Sequence, residues 1–252
     1  VSFNVPAEAY RQFMGRYSGP LAEEFVEYAD LPQDGRVLDV GCGPGVLTER
    51  LVERLGASEV SAIDPSPPFV EETRLRFPDV DVREGVAEAL PYADDAFAAA
   101  LAQLVVHFMA DPVAGLREMA RVTRPGGVVA ACVWDNAGAD GPLSLFWRAA
   151  QDVDPSAPGE AERAGSRKGH LGELAEAAGL LDVESSSLTV HVRFESYDEW
   201  WAPYELGVGP AGAYLASLDD GWRGRIRERC ADLLPEPPFD QRATAWCVRA
   251  RA

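Results

Sequence analysis

The chain has 252 residues, 47% of them hydrophobic and 25% charged, the proportions of an ordinary globular protein whose single core can bury about three quarters of the unfolded surface. Against 41 acidic residues stand 23 basic ones, a net charge of −18. A surface of that sign repels a nucleic-acid duplex or an anionic bilayer, so neither is expected as a partner.

In chain order, the first half alternates strand and helix signals. Arg36–Val40 is a short apolar strand, and Leu47, Leu51 and Leu55 follow at a helical interval within Val46–Leu55. Glu59–Ile63 is a second strand ending at Asp64, and Pro67-Pro68 opens a helix running to about Phe77. Val80–Val82 is a brief strand, and Ala96–Ala102 is an apolar run bounded by Asp94-Asp95. Asp111-Pro112 reads as an N-cap and first-turn pair before Leu116, Met119 and Ala120, and Val128–Val133 is a fifth apolar strand after Pro125-Gly126-Gly127. Strands separated by helices of this length imply βαβ units and a parallel sheet covered on both faces. The second half is less regular. Asn136–Gly169 is rich in Gly, Pro, Ala and Asp; His170–Gly179 is a short helix; Leu188–Phe194 and Thr244–Arg249 are the last strands; Tyr197–Leu234 is mostly helical and aromatic.

Four dispersed cysteines (Cys42, Cys132, Cys230, Cys247) without C-x-x-C spacing, and the scattered His107, His170 and His191, disfavour a zinc site or a disulfide framework. No metal and a cytoplasmic, reducing location are expected. Val1–Tyr10 lacks the basic start and apolar core of a signal peptide. The longest apolar stretch, Ala96–Val106, includes Gln103 and is well short of the roughly 20 residues that span a bilayer.

The strongest signal is Val37–Val46, VLDVGCGPGV, placed between a strand and a helix. Gly41, Gly43 and Gly45 let the backbone turn tightly and approach a ligand, at the carboxyl ends of parallel strands where such sheets bind. A dinucleotide fingerprint would need its third glycine where Val46 stands. Asp64 suits both ribose hydroxyls; its other reading is a helix cap before Pro65.

The pattern Asp39-x-Gly41-x-Gly43-x-Gly45 resembles motif I of the class I S-adenosylmethionine-dependent methyltransferases. The likeness continues through Gly85–Phe97, Leu101–Phe108 and Asp111–Gly127, and more weakly to Tyr10–Pro20 with its Phe13–Ser18 segment. Together these resemble the UbiE-like group acting on small molecules. The resemblance implies an α/β, Rossmann-like doubly wound sheet of seven mostly parallel strands, with helices on both faces and a small helical lid. A single methyltransferase domain over 1–252 is expected, with residues 1–35 covering the cofactor and 36–135 binding it. Residues 136–169 and 197–234 would form the lid and substrate segments, and 188–194 and 244–249 the last strands.

It also implies S-adenosylmethionine as cofactor, S-adenosylhomocysteine as product, and a small hydrophobic or aromatic acceptor methylated at O, N or C. The cofactor residues it implies are Arg16, Asp39, Gly41, Cys42, Gly43, Gly45, Asp64, Pro65, Val86, Ala87, Glu88, Ala102 and Gln103. Of these, Asp39 and the carbonyls near Ala102 and Gln103 would meet the methionine ammonium. One departure stands out: Gly85 is followed by Val86 where the superfamily usually has Asp. Adenine would then rest near Ala87, with Glu88 a substitute acceptor, at a cost of about 0.5–1.5 kcal/mol for one lost hydrogen bond.

His107 is the one candidate base the motifs place, and its alternative is packing beneath the following helix. The candidate substrate pocket is Phe13, Tyr17, His107, Trp134, Trp200, Trp201 and Tyr204, with the aromatic rings of the second half read equally as the lid's own core. Rival functions are a non-catalytic binder of the cofactor or its product, a nicotinamide-dependent oxidoreductase, and methylation of RNA or DNA. A monomer and a homodimer both fit.

Overall fold

The computed structural model describes residues 12–252. Residues 1–11, which hold the first part of the expected N-terminal cover, lie outside the described residues. The elements are α1 (Gly15–Ala29), β1 (Val37–Val40), α2 (Val46–Leu55), β2 (Val60–Asp64), α3 (Pro67–Arg76), β3 (Asp81–Glu84), β4 (Phe97–Gln103), α4 (Pro112–Val122) and β5 (Thr123–Trp134). After them come α5 (Ser144–Val153), α6 (His170–Ala178), β6 (Leu181–Phe194), α7 (Tyr197–Trp201), α8 (Gly209–Ala216), α9 (Asp220–Leu233) and β7 (Phe239–Arg251).

Seven strands form one sheet in the order β3-β2-β1-β4-β5-β7-β6. The ladders joining β3, β2, β1, β4 and β5 are parallel, and β7 is antiparallel to both its neighbours. This is the expected mostly parallel, doubly wound sheet. Alternation along the strands splits the core. Leu101, Ala130 and Cys132 join one apolar cluster with Leu21 and Phe25 of α1 and Leu51 of α2. Ala100, Ala102, Ala131 and Val133 join the other with Leu116 and Met119 of α4 and Leu171 of α6. Because both faces are covered, the central strands are apolar throughout. Asp111 caps α4 by accepting from Ala114 N, with Pro112 in the first turn, as the sequence suggests.

Three strands run well beyond their expected bounds; the first is β5, expected at 128–133, which begins at Thr123. The strands expected at 188–194 and 244–249 run over 181–194 and 239–251, paired from Leu181↔Arg251 to Phe194↔Phe239. The added part of β6 is polar because it lies at the sheet edge, where Glu184 and Ser185–Ser187 face solvent. Residues 197–234 are three helices with a 3₁₀ turn at Ala202–Leu206 between the first two. Gly207 and Gly209 with positive φ break the path, and Asp219 caps α9 by accepting from Trp222 N.

The chain steps outward from β1 to β2 and β3, then returns to place β4 on the other side of β1. The carboxyl ends of β1 and β4 therefore diverge into different loops, which opens a crevice there.

Candidate active site

The loop after β1 is shaped by protein contacts on every side. Gly41 has φ 73°, and a Cβ on it would overlap the Val105 side chain. The Gly41 and Cys42 amides donate to the Ile63 carbonyl at 2.7 and 3.0 Å, Gly43 N donates to Asp64 Oδ2 at 2.9 Å, and Gly45 N donates to the Cys42 carbonyl at 3.0 Å. Thr73 of α3 donates to the Gly43 carbonyl at 2.9 Å. These loop amides are spent inside the protein, so the close approach to a ligand that the glycines allow is not made through these donors. This also disfavours a pyrophosphate, which needs donors of this kind aimed at it. Gly43 is the open point: a Cβ there would meet no protein atom within 4 Å.

Beside this loop lies a cavity of about 320 Å³, lined by Ser18, Asp39, Gly41 to Pro44, Val46, Leu47, Gln103 and Leu104. Asp39 is buried, accepts from Thr48 Oγ1 at 2.6 Å, and is pushed up to about 7 chiefly by loss of solvation. Asp64 at the end of β2 accepts from Gly43 N and, at 2.8 Å, from Ser66 N, and burial raises it to about 6. Gln103 donates through Nε2 to the Ser18 carbonyl at 2.9 Å, which ties β4 to α1 and orients the amide. Its Oε1, like Ser18 Oγ, is buried without a partner. Leaving a buried acceptor unpaired costs about 1–3 kcal/mol, so the cavity suits a ligand that brings donors. The ammonium of a methionine moiety and ribose hydroxyls are such donors, and two buried carboxylates complement a cation.

The expected cofactor residues divide. Asp39, Gly41, Cys42, Gly43 and Gln103 line the cavity. Asp64 braces its loop, Gly45 packs against Thr73 and Phe77, Pro65 is exposed, and Ala102 is buried within the sheet. Three other placements differ from expectation. Arg16 turns away, with Nη2 bonded to Glu199 Oε1 at 2.7 Å and to the Arg193 carbonyl at 3.1 Å and its guanidinium over Phe194. Glu88 Oε1 accepts from Ala110 N and Asp111 N at 2.7 and 3.2 Å, holding the approach to α4. Val86 is 47% exposed while Ala87 packs into the second core cluster. Ser18 and Leu104 were not foreseen as site residues; a left-handed Leu104 leaves no mark in composition or periodicity.

A second cavity, of about 490 Å³, is mostly apolar and is lined by Phe13, Met14, Leu104, His107, Phe108, Trp134, Asn136, Leu143, Glu160 and Val208 to Pro210. Phe13, His107 and Trp134 of the expected pocket line it. Tyr17, Trp200, Trp201 and Tyr204 do not: Tyr17, on α1, packs against Trp134 and Phe194, and the other three belong to the lid's own packing. Tyr204 stacks on Phe146 at 4.7 Å and meets Phe13 edge-on at 5.0 Å, and Tyr17 donates to Gln241 Oε1 at 2.7 Å. Burial holds His107 at about 3, with Arg163 adding to the effect, so at neutral pH it is an uncharged imidazole and a weak base. Glu160, Asn136 and Leu143 were also not foreseen, since they come from the irregular segment after β5.

Leu104 lines both cavities and is held at φ 62° by its N–H to the Cys132 carbonyl at 2.8 Å. A bulky residue in the left-handed region is strained, and such strain gathers at functional sites.

Residues 38–131 match the family model described as a methyltransferase domain, and the fold, the glycine loop and the crevice resemble those of the class I S-adenosylmethionine-dependent methyltransferases. An uncharacterised methyltransferase of Mycobacterium tuberculosis is 38% identical over 127 residues, 50% of this chain and 49% of that protein. A malonyl-[acyl-carrier protein] O-methyltransferase of Erwinia billingiae is 33% identical over 161 residues, 62% of this chain and 60% of that one. The chain thus spans about half the length of the mycobacterial relative. Among solved structures, Haemonchus contortus phosphoethanolamine N-methyltransferase 2 with S-adenosyl-L-methionine aligns at TM-score 0.61 and 14% identity, covering 97% of this chain and 56% of that one. The [4+2]-cyclase SpnF aligns at TM-score 0.55 and 22% identity, covering 92% of this chain and 80% of that one. These two likenesses show the fold alone. Among the described residues no helix is long and apolar enough to cross a membrane, and no cluster of His, Cys, Asp and Glu has the makings of a metal site.

Proposed function

We propose that this protein transfers a methyl group from S-adenosylmethionine to a small, largely apolar acceptor, with the cofactor in the glycine-loop cavity and the acceptor in the apolar one. The observation that carries this reading is Leu104, a strained residue forming a wall of both cavities. The cofactor supplies a methyl group already activated on a sulfonium. The protein therefore needs chiefly to hold two reactants in register, and orientation of that kind is worth about 7–11 kcal/mol.

On this reading Asp39, Gln103 Oε1 and Ser18 Oγ receive the methionine end, and Asp64 the ribose. The adenine lies toward Ala87 without a side-chain carboxylate. His107 shapes the acceptor cavity as a neutral imidazole. The acidic surface supports a small molecule over a nucleic acid as partner.

Calorimetric titration with S-adenosylmethionine, S-adenosylhomocysteine and NADH tests the reading. Micromolar binding of the two sulfur compounds without NADH is expected. NADH binding, or no binding of either sulfur compound, would overturn it.

A further inference from the structure

The apolar cavity has an outer neighbour. Asn136 and Glu160 line the cavity and also an open groove between α5 and the segment 157–161. They form the neck between the groove and the interior. Glu160 is 5% exposed and, among the described residues, is the only Asp, Glu, Lys or Arg lining the cavity. Its charge is answered from outside that lining: Arg163 Nε lies 3.2 Å from Oε1, and Trp147 Nε1 donates to Oε2 at 3.1 Å. Arg163 does not line the cavity; its guanidinium lies over the Phe108 ring and reaches the His107 carbonyl at 3.5 Å.

We propose that the acceptor is an uncharged, mainly apolar molecule bearing a hydroxyl, and that Glu160 at the neck selects it by accepting that hydroxyl's hydrogen bond. The inference rests on the function proposed above. Each carboxylate oxygen can accept two hydrogen bonds, so both oxygens of Glu160 retain capacity beyond their present partners. A carboxylate guest would face Glu160 with no cation among the described lining residues to receive it. An ammonium guest would find its counter-charge already committed to Arg163. A neutral donor meets neither penalty, and desolvating a charge costs far more than desolvating a hydroxyl. Trp134 Nε1, buried and unpartnered on the same cavity, favours a guest group that can also accept. A hydroxyl does both.

The test uses three probes of one shape: para-tert-butylphenol, para-tert-butylbenzoate and para-tert-butylbenzylammonium. Each is titrated into the whole chain with and without saturating S-adenosylhomocysteine. The phenol is expected to bind at least about tenfold more tightly than either ion. Glu160→Gln keeps an acceptor for Trp147 and unpairs Arg163, so the benzoate should gain on the phenol. Arg163→Met unpairs Glu160, so the ammonium should gain instead. A wild-type preference for either ion, no binding of the phenol, or an unchanged ranking in both variants would overturn the inference. The wild-type ranking needs no variant to fold. Failure of S-adenosylhomocysteine to bind while the phenol still binds would overturn the methyltransferase reading, and with it the guest's role as acceptor, while the cavity's selection of a neutral hydroxyl by Glu160 would stand.

Discussion

The two cavities that meet at Leu104 are built by different means. The glycine-loop cavity is mostly backbone geometry: a left-handed turn at Gly41, amides bonded to Ile63 and Asp64, and carboxylates at the ends of adjacent strands. The apolar cavity is a meeting of side chains from segments scattered between Phe13 and Pro210, of which Phe13 rests edge-on against Tyr204 of the lid's aromatic packing. A site of the first kind needs particular residues at fixed spacing. A site of the second kind needs volume and a few polar atoms, which many residue combinations supply. Perturbing the lid should therefore cost stability, whereas perturbing the loop should cost binding.

The largest effect tests the lid side of that contrast. Tyr204 is buried against Phe146, Phe13 and Trp200, so Tyr204→Ala should destabilise the fold by about 3–5 kcal/mol, as for other large aromatic deletions. Denaturant unfolding reads this, and the folded fraction should still bind S-adenosylhomocysteine within about twofold. A large loss of affinity at unchanged stability would put Tyr204 in the site instead of beneath it.

On the loop side, a matched pair separates shape from binding. At Gly41 a side chain collides with Val105, while at Gly43 it meets nothing of the protein. Gly41→Val should lower Tm strongly. Gly43→Val should lower it less, although its φ of 54° is also unfavourable for valine, yet cost about a hundredfold in cofactor affinity, or about 2.7 kcal/mol. Equal binding by wild type and Gly43→Val would remove that open position from the site. Asp64→Ala should cost at least about tenfold, or about 1.4 kcal/mol, with the fold retained. Unchanged affinity would return Asp64 to the helix-start role.

These positions also show what could be read without coordinates. The parallel sheet, α4 with its Asp111 cap and the glycine loop were legible because each rests on a local pattern: apolar runs, a cap with proline, glycines at alternate positions. Arg16 was misplaced because a long side chain near a site can face either way, and Glu199 with Phe194 settles its direction. The orphan Oε1 of Gln103 depends on a bond to Ser18, far away in sequence. Glu160 sits in a segment with no periodicity, and its importance arises only once Trp147 and Arg163 fold around it.

A smaller effect concerns pH. Asp39 and Asp64 are raised to about 7 and about 6 in the folded chain. Raised carboxylates contribute stability that is fully present below their unfolded values and is lost as pH climbs through the folded ones. These two groups should therefore make the cofactor-free fold more stable in mild acid than at neutrality. A ligand that brings an ammonium and hydroxyl donors to them favours their ionised forms. Affinity for S-adenosylhomocysteine should fall as pH drops through about 7 and then about 6. Calorimetry in buffers of different ionisation enthalpy should show protons released on binding. Proton uptake, or an affinity flat across that range, would mean that neither carboxylate faces the ligand.

The smallest effect bears on His107, in the wall of the apolar cavity. Its ring lies against Phe108 at 3.9 Å, its Nδ1 is buried without a partner, and burial holds it uncharged. An unsatisfied polar atom is a cost to the fold, so removing it while keeping the bulk should be nearly neutral or mildly favourable, within about 1 kcal/mol. His107→Leu is therefore expected to leave Tm unchanged or slightly raised and cofactor affinity intact. A loss well beyond 1 kcal/mol would show that Nδ1 is satisfied in solution by an ordered water. In that case His107 would be a wet, polar group with a route for its proton, and the case for it as the base in methyl transfer would reopen. Stability retained in His107→Leu would place it with the aromatic wall, leaving Glu160, among the described residues, as the only Asp, Glu, Lys or Arg lining the acceptor cavity.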